Sequence, residues 1–355
     1  MSVDRGSGAH EPAEQGLRDT APRPTLRDVA LLAGVSTKTA SRVVNGESGV
    51  SDEKVAAVGR AIRQLRYRPN FTASSLRRSG GRTKAIAAIL EDVANPFSAA
   101  VQRALEDSAR TEGVLIIAGS IDEDPDRERE LVSAFTTRRV DALVIAPATR
   151  DQSYLAPELA SGTPIVFIDR PPVGIAADAV IADNRAGAVS AVEHLADHGH
   201  RRIAYLGDLQ GIATAQLRFD GYAVALQARG LSVDPAIVIH DVHSEAAALD
   251  ATLRLMDSPD PPTALFTAQN NVTIGTIRAI HRRGLQHRVA LVGFDDVPLG
   301  DVLSPGITVV AQNPTAVGRT AAEIVFRRLA GDTTSPVTHV IPCSLITRGS
   351  GEITR

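Results

Sequence analysis

The stretch TLRDVALLAGVSTKTASRVVN, from Thr25 to Asn45, decides how the N-terminal part of the chain folds. Leu26, Val29, Ala30 and Ala33 recur at helical spacing and form one apolar face. Gly34 follows, where a helix C-terminus wants a residue that enters the left-handed region without a Cβ penalty. Ser36 can cap a second helix by accepting a hydrogen bond from one of its orphan N–H groups. On that helix Ala40, Val43 and Val44 face inward, and Thr37, Lys38, Ser41 and Arg42 face out. Short donors with Lys and Arg at the start of an exposed helix suit a DNA major groove. The reading is a helix-turn-helix.

Outward from this stretch, Gly46 to Gly49 reads as a loop, and a third helix starts at Ser51 as N-cap. Asp52 and Glu53 fall in its first turn, where acids complement the helix dipole. It carries Val55, Val58, Ile62 and Leu65 inward and ends near Tyr67, ahead of Pro69. Residues 1–23 are polar and aperiodic and read as a disordered tail, which leaves a head over 24–69. NFTASSL (70–76) and a basic linker to Arg82 form a short hinge whose Thr and Ser residues favour helix poorly. Such a segment is expected to order only against a partner.

The formal net charge of −3 conceals an asymmetry. Between Pro24 and Arg82 there are 11 Lys and Arg against 4 Asp and Glu, so the rest of the chain carries an excess of ten acids. A basic head on an acidic body confines phosphate contact to the head. The single cysteine, Cys343, excludes an intramolecular disulfide and fits a reducing compartment. The first residues hold no apolar leader and no run approaches a membrane span, so a cytoplasmic protein without membrane contact is expected.

From Lys84 onward, β-rich runs alternate with helical segments such as Ser98–Thr111 and Asn184–Gly199. The runs are AIAAIL (85–90), VLIIA (114–118), ALVIA (142–146), PIVFID (164–169), RIAYLG (202–207), ALFTA (264–268) and VALVGFD (289–295). The alternation predicts βαβ units on parallel sheets, in two doubly wound subdomains with a cleft at the strand carboxyl ends.

At this point the chain resembles the LacI–GalR family of bacterial transcription regulators, from Thr25 to Arg348. The resemblance rests on the helix-turn-helix, Val50-Ser51, LRYRPN (65–70), ANPF (94–97), FIDR (167–170), ADNRAGA (182–188), HLADHGHRRIAYLG (194–207), RFDGY (218–222) and VGFDD (292–296). It implies a homodimeric repressor on a palindromic double-stranded operator, controlled by a small polar effector. The body, 83–348, would then be of the periplasmic-binding-protein type. One subdomain would take 83–181 plus 312–340, the other 182–311 plus 341–348, with 349–355 as a tail. The resemblance makes Thr37, Lys38 and Arg42 the base readers, with Ser36, Thr39, Ser41 and Asn45 on phosphates. It sets Leu76, with Ala73 beside it, as a wedge in the minor groove.

The same resemblance puts the effector between the subdomains, with Asn95, Phe97, Asp169, Arg218, Gln269 and Asp295 as contacts. Two carboxylates and a forked donor suit vicinal hydroxyls. Asp169 could equally cap a turn, and Arg218 could pair with Asp220. Where the family has Ala-Asn-Asp, this chain has Ala268-Gln269-Asn270, and Ser98 stands where a second aromatic is usual. A carbohydrate or derivative is expected, with a nucleobase or other polar metabolite as the alternative.

No nucleophile elbow, phosphate loop, H-E-x-x-H or dinucleotide fingerprint occurs, so no enzyme, cofactor or metal site is expected. A solute-binding or sensor protein of the same body fold is the other class to weigh. The basic head and the absent leader argue against it.

Overall fold

A computed structural model describes residues 24–68 and 82–355, as two compact units divided between Gly81 and Arg82. The tail over 1–23 and the hinge with Ala73 and Leu76 lie outside the described residues.

In the head, α1 (Leu26–Leu32) opens on a reciprocal cap. The Thr25 N–H donates to the Asp28 carboxylate at 2.8 Å, while the Asp28 N–H donates to the Thr25 hydroxyl. Gly34, at φ +65°, turns the chain into α2 (Thr37–Val44), which Ser36 caps by accepting the Thr39 N–H at 3.1 Å. The third helix, α3 (Asp52–Leu65), packs Val58 and Ala61 against Val29, Ala30 and Ala40. Three details of α3 differ from expectation. Ser51 occupies the cap position but its hydroxyl makes no cap bond. Val55 is 44% exposed, so the buried stripe of the helix begins only at Val58. The helix stops at Leu65, two residues early, because Arg66 takes a left-handed conformation and its N–H returns to the Ile62 and Arg63 carbonyls.

The body holds two sheets, as the alternating runs predict, and each has six strands, five more in all than the seven runs. The first lobe contains β1 (Ala85–Leu90), α4 (Pro96–Thr111), β2 (Leu115–Ser120), α5 (Pro125–Thr137), β3 (Ala142–Ile145), a short α6 (Ala156–Ala160), β4 (Ile165–Ile168) and β5 (Asp178–Ala182). The chain then crosses to the second lobe as α7 (Asn184–Asp197), β6 (Ile203–Leu206), α8 (Ala213–Ala228), β7 (Val238–Ile239), α9 (Glu245–Met256), β8 (Ala264–Thr267), α10 (Asn270–Arg282), β9 (Ala290–Phe294) and β10 (Thr308–Ala311). It returns as α11 (Pro314–Leu329) and β11 (Thr338–Ile341), and crosses once more into β12 (Ser344–Ile346).

Strand order is β11-β5-β4-β3-β1-β2 in the first sheet and β12-β10-β9-β8-β6-β7 in the second. Every pairing is parallel except β10 with β12. That exception follows from the path. β11 runs toward the carboxyl edge of its sheet, so the short link enters the second sheet at its carboxyl edge, and β12 must run back.

Each sheet is covered on both faces, as near-continuous apolar strands require. In the first lobe α4 and α11 bury Val101, Leu105, Val317 and Val325 against one face, and Val132 and Phe135 of α5 cover the other. In the second, α7 and α8 cover one face, α9 and α10 the other. Residues 349–355, expected as a tail, pack onto the second lobe: Ser350 donates to the Leu291 carbonyl at 2.6 Å, and His200 bonds the Ile353 carbonyl at 2.7 Å.

The α4–α11 contact depends on Gly318, where a Cβ would lie 2.5 Å from the Val101 carbonyl and 2.7 Å from Ala104 Cβ. Backbone cannot yield as a flexible side chain can, so Gly318→Ala must push the helices apart. The expected destabilisation is about 1–2 kcal/mol in urea unfolding, within the usual range for overpacking. An unshifted midpoint would show that the two helices are not in firm contact.

Candidate functional site

The two sheets present their carboxyl ends to one cleft. Asn95, Phe97, Asp169, Arg218, Gln269 and Asp295 all line it. They come from five places in the chain: the start of α4, the corners after β4 and β9, helix α8 and the cap of α10.

Asn95 caps α4, its Oδ1 accepting the Phe97 N–H at 3.0 Å. The same oxygen accepts from Asn270 Nδ2 at 3.0 Å, which ties the first lobe to the second. Asn270 therefore has an observed role at the position where the family pattern has a different residue. Gln269 is the extended cap of α10, its Oε1 accepting from the Val272 N–H at 3.3 Å.

Asp169 and Asp295 occupy equivalent corners, one after β4 and one after β9. Both are left-handed, at φ +66° and +70°, and their N–H groups donate to Val180 and Val310 carbonyls at 3.1 and 2.9 Å. Aspartate tolerates that conformation better than most residues, at a cost of roughly 1 kcal/mol. The corner turns each carboxylate into the cleft instead of continuing the strand.

Arg218, on α8, is buried and away from Asp220's surface position. Its Nε donates to Asn184 Oδ1 at 2.7 Å, and Nη1 donates to the Ala268 carbonyl at 2.8 Å. The guanidinium lies 3.9 Å from the centre of the Phe294 ring and 3.6 Å from Asp295. Burial pushes the Asp295 carboxyl above its usual range, while Arg218 and the Gln312 amide, donating at 2.7 Å, hold it down.

Several lining groups were not legible beforehand. Arg170 forks onto Glu123, bonds the Pro147 carbonyl at 2.8 Å and approaches Asp169 at 3.3 Å. Glu91, at the end of β1, faces the carboxylates of Glu123, Asp169 and Asp208, and burial with these charges pushes it up to about 7. Asp208 accepts from His243 Nδ1 at 2.6 Å, which raises the imidazole's pKa. Arg170 closes the FIDR motif and Gln312 follows β10, so a rule naming polar residues just past strand ends could have found them. Among the described residues no group of His, Cys, Asp and Glu could hold a metal ion.

In the head, Thr37 and Lys38 are exposed on the first turn of α2, and Ser41 and Arg42 are half-buried further along. The Ser36 and Thr39 hydroxyls are 2.9 Å apart, and Asn45 caps the helix end with its amide donating to Ser41 Oγ at 3.1 Å. Arg42 is engaged by the following loop: Nη2 donates to the Ser48 carbonyl at 2.5 Å and Nε lies 3.3 Å from Glu47. Both members of that ion pair are more than a third exposed, at 39% and 41%. Such pairs contribute about 0–1 kcal/mol, so the guanidinium can exchange Glu47 for another acceptor.

Comparison with known proteins supports two regions. Residues 25–70 match the model of the lacI family of bacterial regulatory proteins, and 192–351 match a periplasmic binding protein-like domain. The ribose operon repressor of Halalkalibacterium halodurans is 31% identical over 327 residues, 91% of this chain and 96% of that protein. The transcriptional repressor CytR of Escherichia coli strain K12 is 28% identical over 328 residues, 92% of this chain and 96% of that one. The lac repressor dimer, solved bound to operator and the anti-inducer ONPF, superposes with a TM-score of 0.80 at 26% identity, covering 93% of this chain and 99% of that one. Among the described residues no helix is long and apolar enough to cross a membrane.

Proposed function

This chain belongs to the lacI family of bacterial regulatory proteins and is a transcriptional repressor, not an enzyme; from that premise we propose that it works as a homodimer on a palindromic operator, released or retained by a small polar effector in the cleft. The observation that carries the effector reading is the convergence of Asn95, Phe97, Asp169, Arg218, Gln269 and Asp295, from both lobes, on one cavity. A ligand held by both lobes binds one relative lobe angle better than others, and that difference is what can bias a conformational equilibrium. The related lac repressor, solved as a dimer with operator and an anti-inducer together, supports the same division of labour.

On the DNA side, Thr37, Lys38 and Arg42 read base edges, and Ser36, Thr39, Ser41 and Asn45 hold phosphates. The exposure of Thr37 and Lys38 on the first turn of α2, beside the Ser36 and Thr39 hydroxyls, supports this assignment. The head also argues for an operator-binding role over that of a freely circulating solute-binding protein.

Ala73 and Leu76 belong to the same proposal: two hinges pair over the operator, and Leu76 wedges into the minor groove from each. An apolar wedge unstacks a base step at a cost of a few kcal/mol, offset by the contacts a kink permits. Leu76→Ala is expected to weaken specific binding and reduce bending in a phasing assay. Unchanged bending would remove the wedge.

Selection of operator from a random DNA pool by the purified full-length protein tests the whole reading. A palindrome whose two halves are related by a two-fold is the expected product. An asymmetric site, or none, would overturn it.

A further inference from the structure

We propose that the effector carries a protonated amine, as an ammonium-bearing polyol of the amino-sugar class does, with Glu91 as its counter-ion; this deepens, and rests on, the reading of the cleft as the effector site.

The charges in the cleft do not balance. Glu91, Glu123, Asp169, Asp208 and Asp295 line it against two arginines. Both arginines are already charge-paired, although Arg170 Nε is buried without a hydrogen-bond partner among the described residues. Arg170 serves Glu123 and Asp169 together, and Arg218 serves Asp295 while bonding Asn184 and the Ala268 carbonyl. Asp208 has His243. Glu91 has no hydrogen bond or ion pair to its side chain among the described residues, and it faces three other carboxylates across the cavity.

The candidate occupants differ in what they do to this imbalance. A phosphorylated or carboxylated ligand would bring an anion where no uncommitted cation awaits it. A neutral sugar would satisfy hydrogen bonds but leave the surplus of negative charge in place. An ammonium group beside Glu91 supplies three donors and the missing charge. A bare metal ion does not fit, because the carboxylates do not gather into a group that could hold one. The hydroxyls of the ligand would remain with Asp169, Asp295, Arg218 and the cap amides. Phe97 is the aromatic on the lining, too little for the broad stacking platform of a neutral sugar.

Linkage gives the proposal a signature besides affinity. Burial, with the charges of Glu123, Asp169 and Asp208 and against Arg170, pushes Glu91 up to about 7, and His243 lies beyond Asp208. A bound ammonium favours the ionised carboxylate, so while the ligand's amine is itself protonated, binding releases a proton and affinity rises as pH climbs toward 7.

The test is calorimetry on the full-length protein with D-glucosamine, D-galactosamine and D-mannosamine, each beside its neutral parent sugar, at pH 6 and pH 7, where the amines are largely protonated. At least one amine should bind tenfold or more tightly than its parent at pH 7, with a smaller advantage at pH 6. Repeating the titration in phosphate and in MOPS, neither of which carries a primary ammonium, should reveal proton release through the different ionisation heats of the two buffers. Glu91→Gln, which keeps the shape, should erase both the advantage and the proton release. Amines no better than their parents throughout would overturn the proposal. So would tight binding of a neutral sugar that is lost in Arg218→Ala, although that result would leave the cleft as the effector site. An amine that binds equally well to wild type, Arg218→Ala and Asp295→Asn sits elsewhere, and would overturn the cleft reading too.

Discussion

Replacing Arg218 by alanine is expected to abolish the effector's influence on operator binding and to destabilise the body by about 3–5 kcal/mol near neutral pH, the usual range when one partner of a buried pair is removed. The variant loses a donor to Asn184 and to the Ala268 carbonyl, the stack on Phe294 and the positive charge facing Asp295. The last loss carries a pH signature. Burial already raises Asp295, and Arg218 counters it, so removing the arginine raises the folded-state pKa further. A carboxyl whose folded pKa lies above its unfolded value contributes most favourably below the unfolded value, about 4, and loses that contribution as pH rises through the folded one. The deficit of Arg218→Ala should therefore be smaller at pH 5 than at pH 8 in urea unfolding. Equal deficits at both would assign the loss to packing and hydrogen bonds instead of charge. Lysine should not rescue the variant, because an ammonium can neither fork between Asn184 and Ala268 nor stack on the ring as a guanidinium does.

Arg42→Ala should leave the fold intact and remove discrimination at one base pair in each half-site. A bidentate arginine–guanine contact contributes about 1–3 kcal/mol of discrimination, and well-separated positions add, so a palindrome read twice should lose about 2–6 kcal/mol. Gel-shift competition between the selected operator and a version changed symmetrically at that pair would measure it. If wild type and variant rank the two operators identically, Arg42 reads no base. Glu47→Ala provides the complementary case. It frees Arg42 from its neighbour, and the exposure of the pair limits the gain to about 1 kcal/mol per half-site at most.

The alternation of apolar runs and helical segments was enough to read the two sheets, because buried parallel strands are nearly continuous in Val, Ile, Leu and Ala. The run AIAAIL became β1 with the same limits, and PIVFID became β4 with one residue lost from each end. Five strands were not legible: the edge strands β7, β11 and β12, since two to four residues of half-exposed sequence carry no period, and the interior strands β5 and β10, whose four or five mostly buried residues form runs too short to stand out. Within the cleft, Asn95, Phe97, Asp169, Arg218, Gln269 and Asp295 were named from the sequence, whereas Glu91, Glu123, Arg170, Asp208 and Gln312 were not. Each is an ordinary polar residue near a strand end. What brings them together is the crossing of the chain between lobes, which no local window contains. Arg42 illustrates a different limit: its exposed helix face was read from the sequence, but its engagement by Glu47 and Ser48 depends on the path of the loop.

The order in which a ribosome delivers this chain sets when each part can become complete. The head can close on itself once Leu65 and Tyr67 have emerged, since its core draws only on residues 26–67. The first lobe has no such independence. Its five strands from β1 to β5 are synthesised by Ala182, yet one face awaits α11 and the edge of β5 awaits β11, some 150 residues later. During that interval β5 presents an unpaired edge beside an uncovered apolar face, the kind of surface that seeks a second nascent chain. Slowing synthesis between residues 183 and 313 should therefore increase aggregation, and a chain stopped before Pro314 should accumulate as insoluble material although most of its first sheet is present.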